Sequence, residues 1–182
     1  AIDSDQAAAS VLRRLDERLV KFNPKLRWEV GPGSRSPYGL VISPGGARDL
    51  IPLAEQIVSG APRQEQLWEF HACRPPTAWN RSFELDANGR QLRVDANSWG
   101  YSLVMFKGGE FFDITLHVGD TLSSLSEPDR LSAAYILLDG ELGERFVIER
   151  IGKVRVMEGP PPQPSGETGQ MRAHLQQLAR VR

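Results

Sequence analysis

Tyr101-Ser-Leu-Val-Met-Phe-Lys107-Gly-Gly-Glu110-Phe-Phe-Asp-Ile-Thr-Leu-His-Val118 decides how this chain is read. Two apolar-rich runs of strand length flank a connection containing a glycine pair, which supplies the positive φ that such a turn needs. The spacing predicts a hairpin over 101–106 and 111–118. Alternation then sorts the second strand: Phe112, Ile114, Leu116 and Val118 point one way, and Phe111, Asp113, Thr115 and His117 the other. Just beyond, Ser126-Glu-Pro-Asp129 carries a capping hydroxyl, a proline in the first turn and acids at the positive dipole end, so a helix is expected from Ser126. Its buried stripe is expected at Leu131, Ala134, Tyr135, Leu138 and Leu142.

Working outward, Ala8, Leu12, Leu15, Leu19 and Phe22 recur at helical spacing, with Val11 beside them, until Asn23-Pro24 stops the pattern. Leu26–Val30 and Gly39–Ser43 read as strands joined through the Gly- and Ser-rich stretch Gly31–Pro37. A second helix follows to about Ser59. Pro52 fits only its first turn, which favours Asp49 as N-cap. Leu50, Leu53, Ala54, Ile57 and Val58 form its stripe. Leu67–Arg74 reads as a strand ended by Pro75-Pro76. A small hairpin is expected around Asp86-Ala-Asn-Gly89, and two more strands at Phe146–Glu149 and Lys153–Met157. Pro160-Pro-Pro-Gln-Pro164 reads as a polyproline linker before a short helix of about Glu167–Val181.

Helices separated by runs of paired strands argue for an α+β fold, one mostly antiparallel sheet with helices packed on one face. The expected organisation is one domain over 1–158, then a Pro-rich linker and C-terminal helix over 159–182 that docks on the body, docks on a partner or frays. Two stretches, about 39–86 and 101–157, invite comparison as a loose duplication, although their residues do not match.

Composition narrows the function classes. Of 182 residues, 40% are hydrophobic, enough for a real core, and 22 basic residues nearly balance 23 acidic ones. No net field favours nucleic acid or an anionic membrane. Cys73 is the one cysteine, which rules out an intramolecular disulfide and a Cys-rich zinc site and is unremarkable in a reducing cytosol. No apolar run approaches the roughly 20 residues that span a bilayer, and Ala1–Ser10 lacks the pattern of a signal peptide. The expectation is a cytoplasmic protein with no cofactor, no nucleic acid and no membrane contact, acting on a protein partner or as a homo-oligomer.

One constellation suggests chemistry. In 67–74, Glu69, His71 and Cys73 share a face. If that strand lies in one sheet with 111–118, the helix-free face gathers Glu69, His71, Asp113, Thr115 and His117. Two imidazoles with carboxylates suit a divalent metal or acid–base catalysis, with Glu69, His71, Asp113 and His117 as ligands. A solvated polar face is the default for a one-sided sheet, however. Trp68, Trp79 and Trp99, with Thr115, are candidates for lining a ligand or partner groove, against the more usual place of tryptophans in a core. Asp139, Glu141 and Glu144 read better as a solvated helix end stopped at Gly143 than as a catalytic carboxylate set. No catalytic residue stands out, because no nucleophile elbow, phosphate loop or dinucleotide fingerprint is complete.

Three stretches together, Leu67–Pro76, the 101–118 hairpin and Ala133–Glu144, resemble small bacterial domains grouped near the regulator of ribonuclease E activity. The resemblance implies a ferredoxin-like α+β sandwich and a bacterial cytoplasmic protein, and carries no site residue with it. Taken together, the residues favour a non-enzymatic binding or regulatory module. The alternatives are a small metal-dependent or acid–base enzyme on the polar sheet face, and an accessory or immunity-type subunit.

Overall fold

The computed structural model describes residues 2–61, 67–160 and 166–180. Most of the expected polyproline linker, Pro161 to Pro164, lies outside them. The chain divides into two compact units, Ala1–Arg74 and Pro75–Arg182. The boundary thus falls at the Pro75-Pro76 pair rather than near residue 158, and the C-terminal helix belongs to the second unit.

The first unit comprises α1 (Ile2–Phe22), β1 (Arg27–Gly31), β2 (Tyr38–Ser43), α2 (Ile51–Ser59) and β3 (Trp68–His71). β1 pairs antiparallel with β2, and β2 pairs parallel with β3. A single 3-10 turn, Arg48–Leu50, leads into α2, so Leu50 and not Asp49 stands at the cap. Leu15 and Leu19 of α1 and Ala54 and Ile57 of α2 pack with Trp28, Leu40 and Ile42 of the sheet. The Trp28 indole N–H donates to Asp16 Oδ1 at 3.0 Å and pins α1 to β1. Of the expected α1 stripe Leu19 is buried and Leu15 packs beside it, whereas Leu12 and Phe22 are exposed, Phe22 at 62%.

The second unit comprises β4 (Ser82–Ala87), β5 (Arg90–Asp95), β6 (Gly100–Phe106), β7 (Phe111–His117), α3 (Glu127–Leu142), α4 (Glu144–Arg150), β8 (Ile151–Met157), β9 (Gly166–Glu167) and α5 (Met171–Arg180). β4 and β5 form the expected hairpin, with Asn88 and Gly89 both at positive φ in its two-residue turn. The larger sheet has the order β8-β7-β6-β9, with β7 antiparallel to β6 and parallel to β8. Ser126 caps α3 by accepting the Asp129 N–H, as its sequence predicts.

The molecule is α+β, but its sheets are open and mixed and do not form the single mostly antiparallel sheet of the expected sandwich. Each parallel pair follows from the helix between its strands, because a parallel partner needs a crossover. The two units repeat one topology: an antiparallel hairpin, a helical crossover, then a strand parallel to the hairpin's second strand. The repeat spans 27–71 and 100–157, offset from the stretches that the sequence suggested.

Two expectations are corrected by packing. Residues 146–149, read as a strand from Phe146-Val-Ile148, lie within α4. Gly143 at φ 85 ends α3 and the chain restarts as a helix, with Glu144 in its first turn and Arg150 in its last. In α3 the expected Ala134, Leu138 and Leu142 are buried, but the stripe is wider than expected on the side of Ala133 and Leu137, both fully buried, and leaves Tyr135 43% exposed. Helix α5 is no loose tail. Met171 and Leu175 are fully buried in the core with Trp99, Tyr101, Phe112, Ile114 and Leu116. The Arg172 guanidinium donates to the carbonyls of Gly140 and Glu141, capping the C-terminal end of α3. Among the described residues no helix is long and apolar enough to cross a membrane.

Leu175→Ala therefore removes a packed side chain and should cost about 2–5 kcal/mol, whereas Phe22→Ala, on an exposed face, should stay within about 0.5 kcal/mol. Urea unfolding of both variants checks this. Equal, small effects would mean that α5 is peripheral.

Candidate functional site

The expected polar constellation is split by topology. β3 belongs to the β1-β2-β3 sheet and β7 to the four-stranded sheet, so the shared sheet that was to gather Glu69, His71, Asp113 and His117 does not exist. Each pair does lie on the face of its own sheet turned away from that unit's helices. Among the described residues no three His, Cys, Asp or Glu side chains are grouped so as to hold a metal ion.

Glu69 is an anchor. Its carboxylate accepts the Ser34 N–H, the Arg35 N–H at 3.2 Å and the Ser34 hydroxyl at 3.3 Å, and His71 Nε2 lies 3.4 Å away. The Gly31–Pro37 stretch thus wraps the acid. At Gly33 a Cβ would stand 2.9 Å from Glu69 Oε1, so only glycine fits there. The Ser34 amide is the main cause, with the other donors helping, that holds the Glu69 carboxyl down at about 2. Nearby, Arg74 makes a two-pronged ion pair with Glu29, at 2.7 and 2.8 Å.

Asp113 is also structural. A register shift between Phe112 and Ile114 frees the Lys153 N–H, and Asp113 Oδ1 accepts it at 2.8 Å. Thr115 lies half-buried on the same face. His117 is 5% exposed, and its Nε2 meets Ser102 Oγ at 3.1 Å. Burial pushes its imidazole below the ordinary value of 6.5. Asp113 and His117 stand four residues apart on one strand, roughly 13 Å, too far to share an ion.

The tryptophans do not line one groove. Trp68 stands in the first unit between Tyr38 and Phe70, with ring centroids 5.1 and 6.4 Å away. Trp99, 1% exposed, is core. Trp79 lies against Gly140, where a Cβ would meet its ring, and its indole donates to Glu141 Oε1 at 3.0 Å. Arg81 Nε lies 3.0 Å from the same carboxylate. Glu141 and Glu144, read as a solvated helix end, are each 4% exposed: Glu141 is held between Trp79 and Arg81, and Glu144 opens α4 as a buried residue.

The feature that sequence reasoning missed is a cleft of about 900 Å³ in the second unit, between β6 and α5. One wall is strand: Tyr101, Ser102, Leu103 and Met105. The other is a helical ridge of Gln170, Ala173, His174, Gln177 and Leu178, with Gly166 and Gly169 at its head. Among the described residues no Asp, Glu, Lys or Arg lines it. Gly166 lets the Tyr101 ring pack against the β9 backbone, since a Cβ there would fall on the ring. The Tyr101 hydroxyl meets His174 Nδ1 at 2.7 Å and ties the walls together, while burial pushes the phenol up. Met105, half exposed, carries this wall toward the hairpin end, while Val104 and Phe106, also about half exposed, alternate to the opposite face of β6. The 170, 173, 174, 177 spacing was visible in the sequence, but nothing there placed it beside β6.

The depressed Glu69 carboxyl has a defined acid response. The unfolded chain takes up the proton near 4.5 and the folded chain only near 2, so the anchor is complete above 4.5 and is lost as pH falls towards 2. Protection of the Ser34 and Arg35 amides, taken relative to the intrinsic exchange rate at each pH, should fall across that window, and in Glu69→Ala it should be low throughout. Unchanged protection in that variant would show that the loop holds itself. Compared with family models, curated proteins and solved structures, the chain finds no match in any of the three.

Proposed function

We propose that this protein is a non-enzymatic binding module that takes an extended segment of a partner protein in the cleft between β6 and α5. The observation that carries this is the make-up of that cleft, an open groove whose described lining carries no formal charge, walled by a strand on one side and a helical ridge on the other, with half-exposed Met105 at its outer end. Ligand grooves combine apolar walls with a few polar groups that fix orientation, here Ser102, His174 and the two glutamines. The occupant is taken to be a polypeptide because β9 already pairs antiparallel with β6 at Gly100 and Tyr101. The cleft continues along the same strand. A groove without formal charge gives no purchase for nucleic acid. A cytoplasmic location goes with this function, one buried thiol, Cys73, suiting a reducing compartment.

The enzyme alternative rests on Ser102 and His117, a hydroxyl within hydrogen-bond reach of a neutral imidazole. A nucleophile and base of this kind need a third group that orients the base. Among the described residues no acidic side chain bonds the other ring nitrogen of His117, and the contact is accounted for as the partner of a buried imidazole.

A displayed library of random linear peptides, selected on the full chain, tests the proposal. The selected peptides should bind at least about tenfold more weakly to Ala173→Arg, which fills the ridge side of the cleft. Tyr38→Ala, in the first unit, should leave binding unchanged. Equal binding to Ala173→Arg would place the site elsewhere. A dimer of the wild-type chain that Ala173→Arg dissociates would give the groove to a second copy instead.

A further inference from the structure

We propose that the first unit carries a second binding surface, the outward face of α1, which docks on an anionic lipid bilayer. It is independent of the cleft and of the function proposed above.

The near balance of charge over the whole chain, from which no membrane contact is expected, hides a local excess. Between Val11 and Arg27 stand Arg13, Arg14, Arg18, Lys21, Lys25 and Arg27 against Asp16 and Glu17 alone, an excess of four positive charges. Helical spacing sorts these side chains. Leu15 and Leu19 pack into the unit's core, and Asp16 is turned to β1, where it accepts the Trp28 indole N–H. Arg14, Arg18 and Lys21 follow at i, i+4 and i+7 and so share one face, with Val11 and Phe22 at its two ends. Lys25 comes just past the Asn23-Pro24 stop. All of this face is exposed, Val11 and Phe22 at 62% each. Among the described residues no carboxylate forms an ion pair with Arg14, Arg18, Lys21 or Lys25. Glu17 borders the face, three residues after Arg14 and four before Lys21, and reduces its field without cancelling it.

A face of this make-up matches one kind of partner. The helix rises about 16 Å from Val11 to Phe22, and a bilayer laid flat along it brings anionic headgroups to every cation. Clusters of Lys and Arg on an amphipathic helix recognise acidic lipids in this way. Val11 and Phe22 are not part of the unit's apolar core. At a bilayer surface both have a destination, because apolar side chains there enter the headgroup boundary. A nucleic-acid backbone would satisfy the cations and leave both in water. The contact is peripheral, since among the described residues no helix is long and apolar enough to cross a membrane.

The full chain is sedimented with phosphatidylcholine vesicles holding about 30% phosphatidylserine, and with vesicles of phosphatidylcholine alone. It should bind the neutral vesicles at least about tenfold more weakly, and leave the mixed ones as salt rises to about 0.5 M, where the Debye length falls to about 4 Å. Each cation removed should weaken binding about fivefold, so Arg14→Gln with Arg18→Gln should weaken it roughly 25-fold, while Arg14→Lys with Arg18→Lys stays within about twofold. Phe22→Ala, which should leave stability nearly unchanged, should weaken binding at least about threefold by removing the inserted ring. Equal binding to both vesicles, no binding to either, or unchanged binding of the double glutamine variant overturns the proposal. So does binding of a single-stranded RNA homopolymer without binding of vesicles, which would make the face a nucleic-acid site. A dimer that Phe22→Ala dissociates, again without vesicle binding, would give the face to a second copy and overturn it equally.

Discussion

Both edges of β7 are paired and one of its faces is sealed, and the second unit is built around that condition. Phe112, Ile114 and Leu116 are fully buried. A strand in this position must find partners for every backbone group, because an unpaired polar group away from water costs as much as a lost hydrogen bond. The Lys107-Gly-Gly-Glu110 turn brings back β6 on one side, and the α3–α4 crossover delivers β8 on the other. The burial of α3 and α5 follows, since both cover the same apolar face. β6 inherits the consequence: paired on one side by β7, it is left to be covered or used on the other.

The parts legible in the sequence were those decided locally. The Ser126 cap, the Asn88-Gly89 turn and the inward set of β7 depend on residues within a few positions of one another. The parts that were not legible depend on chain far away. Phe146-Val-Ile148 has strand composition, and helix α4 appears because Gly143 closes one helix and tertiary context opens another. Arg172 is an ordinary surface residue by type, yet it reaches 31 positions back to the Glu141 carbonyl. Glu69 and His117 do stand opposite the apolar set of their strands, as alternation predicts, although both are largely covered, but their proximity required a common sheet, and strand alternation gives a face without giving a neighbour. The cleft shows the same limit, because its ridge was readable as a helix while its opposite wall lies about 70 residues earlier.

Polar side chains in this protein are mostly occupied with the fold. Glu69 holds a loop, Asp113 repairs a bulge, Glu141 bridges Trp79 and Arg81, and Glu29 holds Arg74. These carboxylates are engaged in holding the fold, and among the described residues none of them lines the cleft. A surface without formal charge recognises shape, main-chain hydrogen bonds and apolar contact, and its affinity changes little with salt.

The place of α5 in the chain order bears on synthesis. All parts of the first unit lie within the first 74 residues, so it can close while the rest is still being made. The second unit cannot. Met171, Leu175 and Arg172 complete its core and cap α3, and all three follow every other element of the unit. Until they emerge from the ribosome, Trp99 and Tyr101 lack their covering helix and the end of α3 lacks its cap. A nascent chain at that stage carries a finished first half and a second half whose apolar strand face is still uncovered.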